Sequence, residues 1–578
     1  MDMFEALRQQ LAQPLKPLQG VRRKVKAKVD PVGWFESAGN VAWHATMNPL
    51  AVTSATMKYL TQLASVPLSS ASVATGAKTS GALPIPEKDR RWHNTAWTKN
   101  AFYYTLLQNW LATDEYLENL IDAGAADDFK ARKTRQFARV MMDMLSPSNS
   151  ALTNPDVAVK TFETGGKSLA QGAKYFFEDM TTRQGRPQRV DEDAFTVGEN
   201  MASSKGKVVF KNDLIEVLQY TPLTEQVHEV PLLMTPPWIN KYYIMDLNPG
   251  RSLAEWANKH NRTVFMISYR NPDSSMRDTS FEDYMNKGVL TALDVVEDIT
   301  GAKKIDLLGV CLGGAMSMIA LSYLRAKGDD RVGNITLVNT LLDYTNTGDL
   351  GLMSDPETVY KLDTLMDTQG YLDGTDMAGT FDLLRAQDLI FSYWVSRWML
   401  GEEPPAFDLL VWNEDATRMP ARMHSEYLTL LYGQNALANG ELVMNGQKLS
   451  LGKVTNDVYI IGAIKDHIVP WTGSFDGVKH LGGQTRYVLA SGGHIAGIVN
   501  PPSKKAWIEV VGDPAGQQPK LPTDAEQWRS SAEHQAKSWW EDWAVWSAKR
   551  AGALQAPPPM GSEKYPATGD APGEYVFS

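Results

Sequence analysis

The run from Lys304 to Leu321 limits what this chain can fold into more than any other stretch. Ile305 to Leu308 is an apolar run of strand length, and a helical pattern rich in small residues follows from Gly314. Only the tight turn Gly309-Val310-Cys311-Leu312-Gly313-Gly314 separates them, and Cys311 is the single cysteine of the chain. A residue presented on so sharp a strand-to-helix turn is held in a strained backbone conformation, so its neighbours two positions away must be very small. Gly309 and Gly313 meet that requirement. A lone cysteine by itself packs as a small hydrophobe. Strand, flanking glycines and small-residue helix together read instead as a thiol nucleophile raised at the end of a strand.

Strand-like and helical segments alternate around that turn. Lys207 to Phe210 and Ile215 to Tyr220 predict an antiparallel pair, followed by strands at Val230 to Met234, Val264 to Ser268, Ile305 to Leu308, Ile335 to Val338, Val458 to Ile461 and Thr485 to Leu489. Helical patterns such as Phe281 to Glu297 fill the gaps, which implies a mainly parallel sheet with helices on both faces. The gap between Val338 and Val458 is several crossovers long and aromatic, with Phe391, Tyr393, Trp394 and Trp398 close together. It reads as an inserted lid, about 345–445, over the site. Before the charged linker Arg189 to Asp193 the pattern differs. Trp92, Trp97, Phe102, Tyr103, Leu106, Leu107, Trp110 and Leu111 recur at helical spacing, and no strand-like run precedes Phe195. Ser65 to Ser80 is close to low complexity. The expected organisation is therefore a flexible segment 1–80, an α-helical domain 81–190 and an α/β catalytic domain 191–578. Trp528, Trp539, Trp540, Trp543 and Trp546 read as one C-terminal helix, with an extended tail from Ala556.

Composition excludes several functions. A net charge of -10 argues against general nucleic-acid binding, which needs clustered cations. The basic run Arg22 to Lys28 reads as solvated surface. One cysteine cannot form an internal disulfide, no apolar run approaches the length of a membrane span, and the first residues lack a secretory pattern. The expectation is a soluble, cytoplasmic protein.

A thiol nucleophile needs a base, and the base an orienting acid. In the α/β hydrolases, whose G-x-C/S-x-G elbow the Cys311 turn resembles, the order along the chain is nucleophile, acid, histidine, each on a loop at a strand's C-terminal end. His494 follows the late strand Thr485 to Leu489 through Gly492 and Gly493, so it is the expected base. Asp466, after strand Val458 to Ile461, is the expected acid. His467 is an alternative base and Asp343 an alternative acid. The backbone amides of Leu312 and, in the loop Thr235 to Asn240, of Ile239 are the expected oxyanion hole. The histidines show neither the close pairing nor the accompanying thiols of a metal site, so no metal and no cofactor is expected.

These residues closely resemble the polyhydroxyalkanoate synthases, of the class I single-subunit type. The resemblance lies in the box Gly309 to Gly314, Pro236 to Ile244, Met266 to Pro272, Asp466 to Trp471 and Gly493 to Pro502, with Ser146 to Asn149 and Glu163 to Gly166 in the helical region. Tyr269 stands where that motif is expected to carry tryptophan. The resemblance implies an α/β-hydrolase fold and a Cys311–His494–Asp466 triad. It also implies short-chain (R)-3-hydroxyacyl-CoA substrates such as 3-hydroxybutyryl-CoA, a homodimer, and association with polymer granules. Rival readings are a cysteine thioesterase or esterase on the same fold, and a non-catalytic granule-associated protein.

Overall fold

The computed structural model describes residues 30–77 and 83–578. The basic run Arg22 to Lys28 lies outside them. The chain divides into two units, one of Val32–Asp191 with Gly379–Ala406, the other chiefly of Glu192–Ala378 with Phe407–Ser578.

The first unit is helical: α1 (Trp34–Thr46), α2 (Pro49–Ala74), α3 (Ala101–Ala123), α4 (Asp128–Met144) and α5 (Lys167–Thr182). Polar caps start these helices. Asn48 accepts from the Ala51 N–H ahead of Pro49, Asn100 from Phe102 and Tyr103, and Asp127 from Lys130. Trp92, Trp97, Leu107 and Leu111 form one small core, and Val41, Ile121 and Ala131 tie α1, α3 and α4 together in another. Part of the segment expected to be flexible is therefore two ordered helices. The Ser/Ala/Thr composition that reads as low complexity is what lets α2 lie against α3, where the Ser70 and Thr105 hydroxyls meet at 2.7 Å and the Tyr59 and Tyr116 rings stack at 4.6 Å.

The expected lid is divided. Its most aromatic part, within 379–406, belongs to the helical unit. There the fully buried Asp179 of α5 accepts from Arg397 Nε at 2.7 Å and Trp398 Nε1 at 2.8 Å. A Cβ on Gly172 would stand 2.1 Å from the Trp398 carbonyl oxygen, so only glycine admits this packing. The rest of the insertion stays with the catalytic unit as helices, one π-helical turn at Leu428–Gly433 and short paired strands.

That unit is built on a sheet of eleven strands: β1 (Gly206–Lys211), β2 (Ile215–Tyr220), β3 (Leu232–Thr235), β4 (Val264–Tyr269), β5 (Ile305–Val310), β6 (Val332–Val338), β7 (Val458–Ala463), β8 (Thr485–Ala490), β9 (Ile508–Val510), β10 (Glu533–Gln535) and β11 (Gly569–Asp570). Their spatial order is β10-β9-β8-β7-β6-β5-β3-β4-β2-β1-β11. The run β4-β3-β5-β6-β7-β8 is parallel, and both flanks are antiparallel. The central strands are apolar throughout because both faces are covered. Alternate residues such as Leu307 and Leu308 feed two separate cores.

The C-terminal tryptophans do not share one helix. Trp528 sits on Ala525–Ser531 in the first of those cores, whereas the other four line α8 (Trp539–Ala548) in the second. Arg486 of β8 clamps Asp542 of α8 through Nε at 2.8 Å and Nη2 at 3.0 Å, and the Tyr459 hydroxyl of β7 donates to the same carboxylate at 2.9 Å. The tail is not a free extension either. β11 pairs with β1, and the Glu216 carboxylate accepts the N–H groups of Glu574 and Tyr575.

Candidate active site

After α6 (Thr291–Thr300), β5 runs straight into α7 (Leu312–Lys327), and Cys311 between them has φ 51° and ψ -119°, a conformation rarely adopted by residues with a side chain. The turn is locked from several sides. The Cys311 N–H donates to the Val338 carbonyl at 2.9 Å, and its own carbonyl accepts from the Thr340 hydroxyl at 3.1 Å. A Cβ on Gly309 would lie 2.4 Å from Gly314 Cα, and one on Gly313 only 2.2 Å from the Thr235 carbonyl oxygen. The glycines thus let the elbow close on itself and let the loop after β3 press against it.

Asp466 stands in the turn after β7 and His494 opens the short helix His494–Ile498 after β8. One carboxylate oxygen of Asp466 accepts the N–H groups of Ile468 at 2.9 Å and Val469 at 2.8 Å; the other meets His494 Nδ1 at 2.6 Å. Cys311 lies near enough to the imidazole to act on its charge. Burial disfavours a charged His494, but the carboxylate of Asp466 foremost, with Cys311 beside it, more than offsets that, so its pKa is raised to about 10. The side chain is therefore held as an imidazolium.

The backbone around His494 is fixed from below. Asn339, itself at φ 47° just beyond β6, donates through Nδ2 to the His494 carbonyl at 2.6 Å. Trp539 and Trp540 of α8 donate their indole N–H groups to the Gly497 and Ile498 carbonyls, satisfying the end of the helix that His494 begins. The tryptophan-rich helix thus supports the histidine loop.

The imidazole received by Asp466 is that of His494, although His467 is the neighbour in sequence. Asp343 belongs to a different pair. It accepts from His480 Nε2 at 2.8 Å, from Thr345 and from Asn435, and these bonds hold its carboxyl well below the usual range in spite of burial. Leu312 is the first residue of α7, where the amides have no intrahelical acceptor. Ile239 lies in the loop after β3, which is pinned by the Thr417 hydroxyl on the Trp238 carbonyl, the Trp412 indole on the Lys241 carbonyl, and Lys241 Nζ on the Val576 carbonyl.

Sequence reasoning missed Asn339 and three tyrosines. Tyr344 and Tyr427 are buried, and Tyr432 half-buried, in the core against which Cys311 packs. Their only sequence signal is aromatic density in the insertion. Among the described residues, no cluster of three or more His, Cys, Asp or Glu is arranged to hold a metal ion, and no helix is long and apolar enough to cross a membrane.

A parallel sheet that carries a strained nucleophile elbow after its fifth strand, with Asp and His on the loops after two later strands, defines an α/β-hydrolase-fold protein. The family model for that fold matches residues 243–501. A second, described as the N-terminus of poly-beta-hydroxybutyrate polymerase (PhaC), matches residues 88–257. The poly(3-hydroxyalkanoate) polymerase of Methylorubrum extorquens is 39% identical over 87% of this chain and 82% of its own length. The polymerase subunit PhaC of Cupriavidus necator is 39% identical over 85% and 83%, and poly(3-hydroxyalkanoate) polymerase 1 of Ectopseudomonas oleovorans 34% identical over 97% and 96%. The chain belongs to the poly(3-hydroxyalkanoate) polymerase family.

Proposed function

We propose that this protein polymerises short-chain (R)-3-hydroxyacyl-CoA thioesters, 3-hydroxybutyryl-CoA foremost, into polyhydroxyalkanoate with release of CoA, through an acyl group carried on Cys311. The observation that carries this reading is the contact of Cys311 with a histidine oriented by Asp466 in a chain of this family.

The Cys311 thiolate attacks the substrate carbonyl, the C–S bond to CoA breaks, and the CoA sulfur leaves with the electron pair and the proton of His494. Backbone amides, those of Leu312 and Ile239 foremost, stabilise the intermediate's oxyanion. One thioester replaces another, so the acyl group stays activated; an oxygen ester on serine would discard that activation. In the second step a substrate hydroxyl loses its proton to His494 and attacks the acyl-Cys311 carbon. A C–O bond forms, the C–S bond breaks, and the thiolate returns. Asp466 orients the imidazole and stabilises its charged form in both steps. Water competes with the hydroxyl, so the buried aromatic wall about Cys311 also serves to exclude it.

Association with polymer granules in the cytoplasm and homodimer formation are part of the proposal. For granules, support comes from large apolar side chains left exposed on α2, among them Leu50, Met57, Leu60 and Leu68. The test is a CoA-release assay across 3-hydroxyacyl chain lengths with recovery of product. Insoluble polymer forming in step with CoA is expected, with Cys311→Ala folded and inactive. Stoichiometric free hydroxy acid without polymer would make the protein a thioesterase.

A further inference from the structure

The triad chemistry leaves Asp343 unused, although its carboxylate is buried and engaged on both oxygens. One oxygen accepts from the Thr345 N–H at 3.0 Å, the Thr345 hydroxyl at 2.6 Å and Asn435 Nδ2 at 2.9 Å. The other accepts from His480 Nε2 at 2.8 Å and pairs with Lys479 Nζ at 3.2 Å. These partners come from different parts of the chain. Thr345 shares the loop after β6, Lys479 and His480 belong to the turn Gly477–His480 after β7, and Asn435 lies just past the π-helical turn Leu428–Gly433 of the insertion. The Asn435 amide works in both directions, since its Oδ1 accepts the Tyr344 N–H at 2.9 Å. Its backbone turns there at φ 49°, with its N–H on the Leu431 carbonyl at 3.0 Å. Insertion and loop are thereby fixed in register, and the Tyr344 ring packs on that of Tyr432 at 4.9 Å.

The loop gripped in this way touches every segment that carries the triad. Its first residues hold the elbow and the histidine. The Val338 carbonyl accepts the Cys311 N–H, the Thr340 hydroxyl donates to the Cys311 carbonyl at 3.1 Å, and Asn339 Nδ2 donates to the His494 carbonyl at 2.6 Å. Its last residues lie against the turn and helix that follow Asp466. There Asn346 Nδ2 donates to the Thr472 hydroxyl at 3.0 Å, and a Cβ on Gly348 would stand 2.9 Å from the Pro470 ring and 3.7 Å from the His467 carbonyl oxygen. Asp343 sits midway between these contacts. Cys311 also packs against the core in which Tyr344, Tyr427, Leu428 and Leu431 are buried, so the stretch of insertion that Asn435 ties down is part of the wall beside the thiol.

We propose that Asp343 and Asn435 are positioning residues for the chain-extending step: their hydrogen bond clasps the insertion to the loop that braces the triad and so keeps water from the acyl group on Cys311. This rests on the acyl-Cys311 reading above. Two nucleophiles compete for that acyl group. When a substrate hydroxyl attacks, a C–O bond forms, the C–S bond breaks and the polyester lengthens. When water attacks, its oxygen bonds to the acyl carbon, its proton passes to His494, the C–S bond breaks and a free hydroxy acid leaves. The clasp favours the first outcome by holding the insertion on Tyr344.

Asn435→Gly removes the amide and accepts the φ of 49°, so it opens the clasp without straining the backbone. A hydrogen bond to a charged carboxylate is strong enough for its loss to shift a local opening equilibrium about 10-fold, and the hydroxy acid released per CoA should rise by about that factor. Iodoacetamide should alkylate Cys311, the one cysteine of the chain, several-fold faster at an unchanged pH midpoint. Combining Asp343→Asn with Asn435→Asp keeps a donor and a carboxylate across the contact, so both readouts should return toward the parent when compared with Asp343→Asn alone. That comparison also keeps the test open if Asn435→Gly fails to fold. A lower melting temperature with product ratio and alkylation rate unchanged would overturn the proposal and leave Asp343 a purely structural residue. The two readings fail separately: hydroxy acid without polymer from the unmodified protein sinks the polymerase reading, while the alkylation rate of Asn435→Gly still decides the clasp.

Discussion

Gly313→Ala is the sharpest test of how the site is held. A Cβ there would stand 2.2 Å from the Thr235 carbonyl oxygen and 2.4 Å from that of Pro236. Non-bonded heavy atoms settle at roughly 3.5 Å, so elbow and loop must part by about 1 Å. Neither side yields cheaply, because the obstacle is backbone and the Thr235 hydroxyl is itself bound to the Gly313 carbonyl at 3.2 Å. Overpacking of this kind costs about 1–3 kcal/mol, within what a domain of this size tolerates. The functional cost is larger. The displaced loop carries Ile239, and a misplacement of about 1 Å in a catalytic constellation lowers turnover by about 10²-fold. CoA release should fall by about that factor, with the melting temperature only modestly reduced. The alkylation rate of Cys311 should change far less, since the thiol and His494 stay together. Turnover within about threefold of the parent in a folded Gly313→Ala protein would refute the reasoning that this contact sets the oxyanion geometry.

Other expectations follow from the same structure. Asp466→Asn removes the charge that raises His494, so CoA release should drop about 10²–10⁴-fold and Cys311 should need a higher pH to be alkylated; a normal alkylation profile would count against the triad. His424 is buried with both ring nitrogens unpartnered, and burial lowers its pKa from 6.5 to about 4. The folded state thus binds fewer protons than the unfolded one, so this stability is fully present above pH about 6.5 and is lost as pH falls toward about 4, by up to about 3 kcal/mol. Urea unfolding of His424→Phe at pH 7.5 and 5 should show a smaller acid loss than the parent; equal losses would rule this out. Gly39 lies within α1 with open space where a Cβ would go, so Gly39→Ala should stabilise by about 0.5–1 kcal/mol, read as a raised melting temperature of the helical unit.

The catalytic sheet was legible because both-sided burial writes each parallel strand as an apolar run, and because the glycines about Cys311 are a local steric necessity. Chain order was enough to set His494 with Asp466 in place of His467 or Asp343. What stayed hidden depends on distant contacts. The affiliation of Trp398 with Asp179 joins residues 219 positions apart, and α2 looks unstructured until α3 lies against it. The π-helical turn Leu428–Gly433 leaves no trace in hydrophobic periodicity, so Tyr432 reads as any aromatic residue of a lid. Trp528 and Trp539 are near in sequence but face opposite sides of the sheet, a separation set by β10 running between their helices.

The strand β11 bears on the order in which the protein is made. Lys207 of β1 pairs with Asp570 across 363 positions, and Lys241, at the end of the loop beside the elbow, waits for the carbonyl of Val576 across 335. Synthesis runs from the N-terminus, so Cys311, Asp466 and His494 all emerge while β1 is still an open edge and Lys241 still lacks this acceptor. The nascent chain therefore holds Cys311, Asp466 and His494 before it holds the brace beneath the Ile239 loop, which closes only when residues 569–578 fold home.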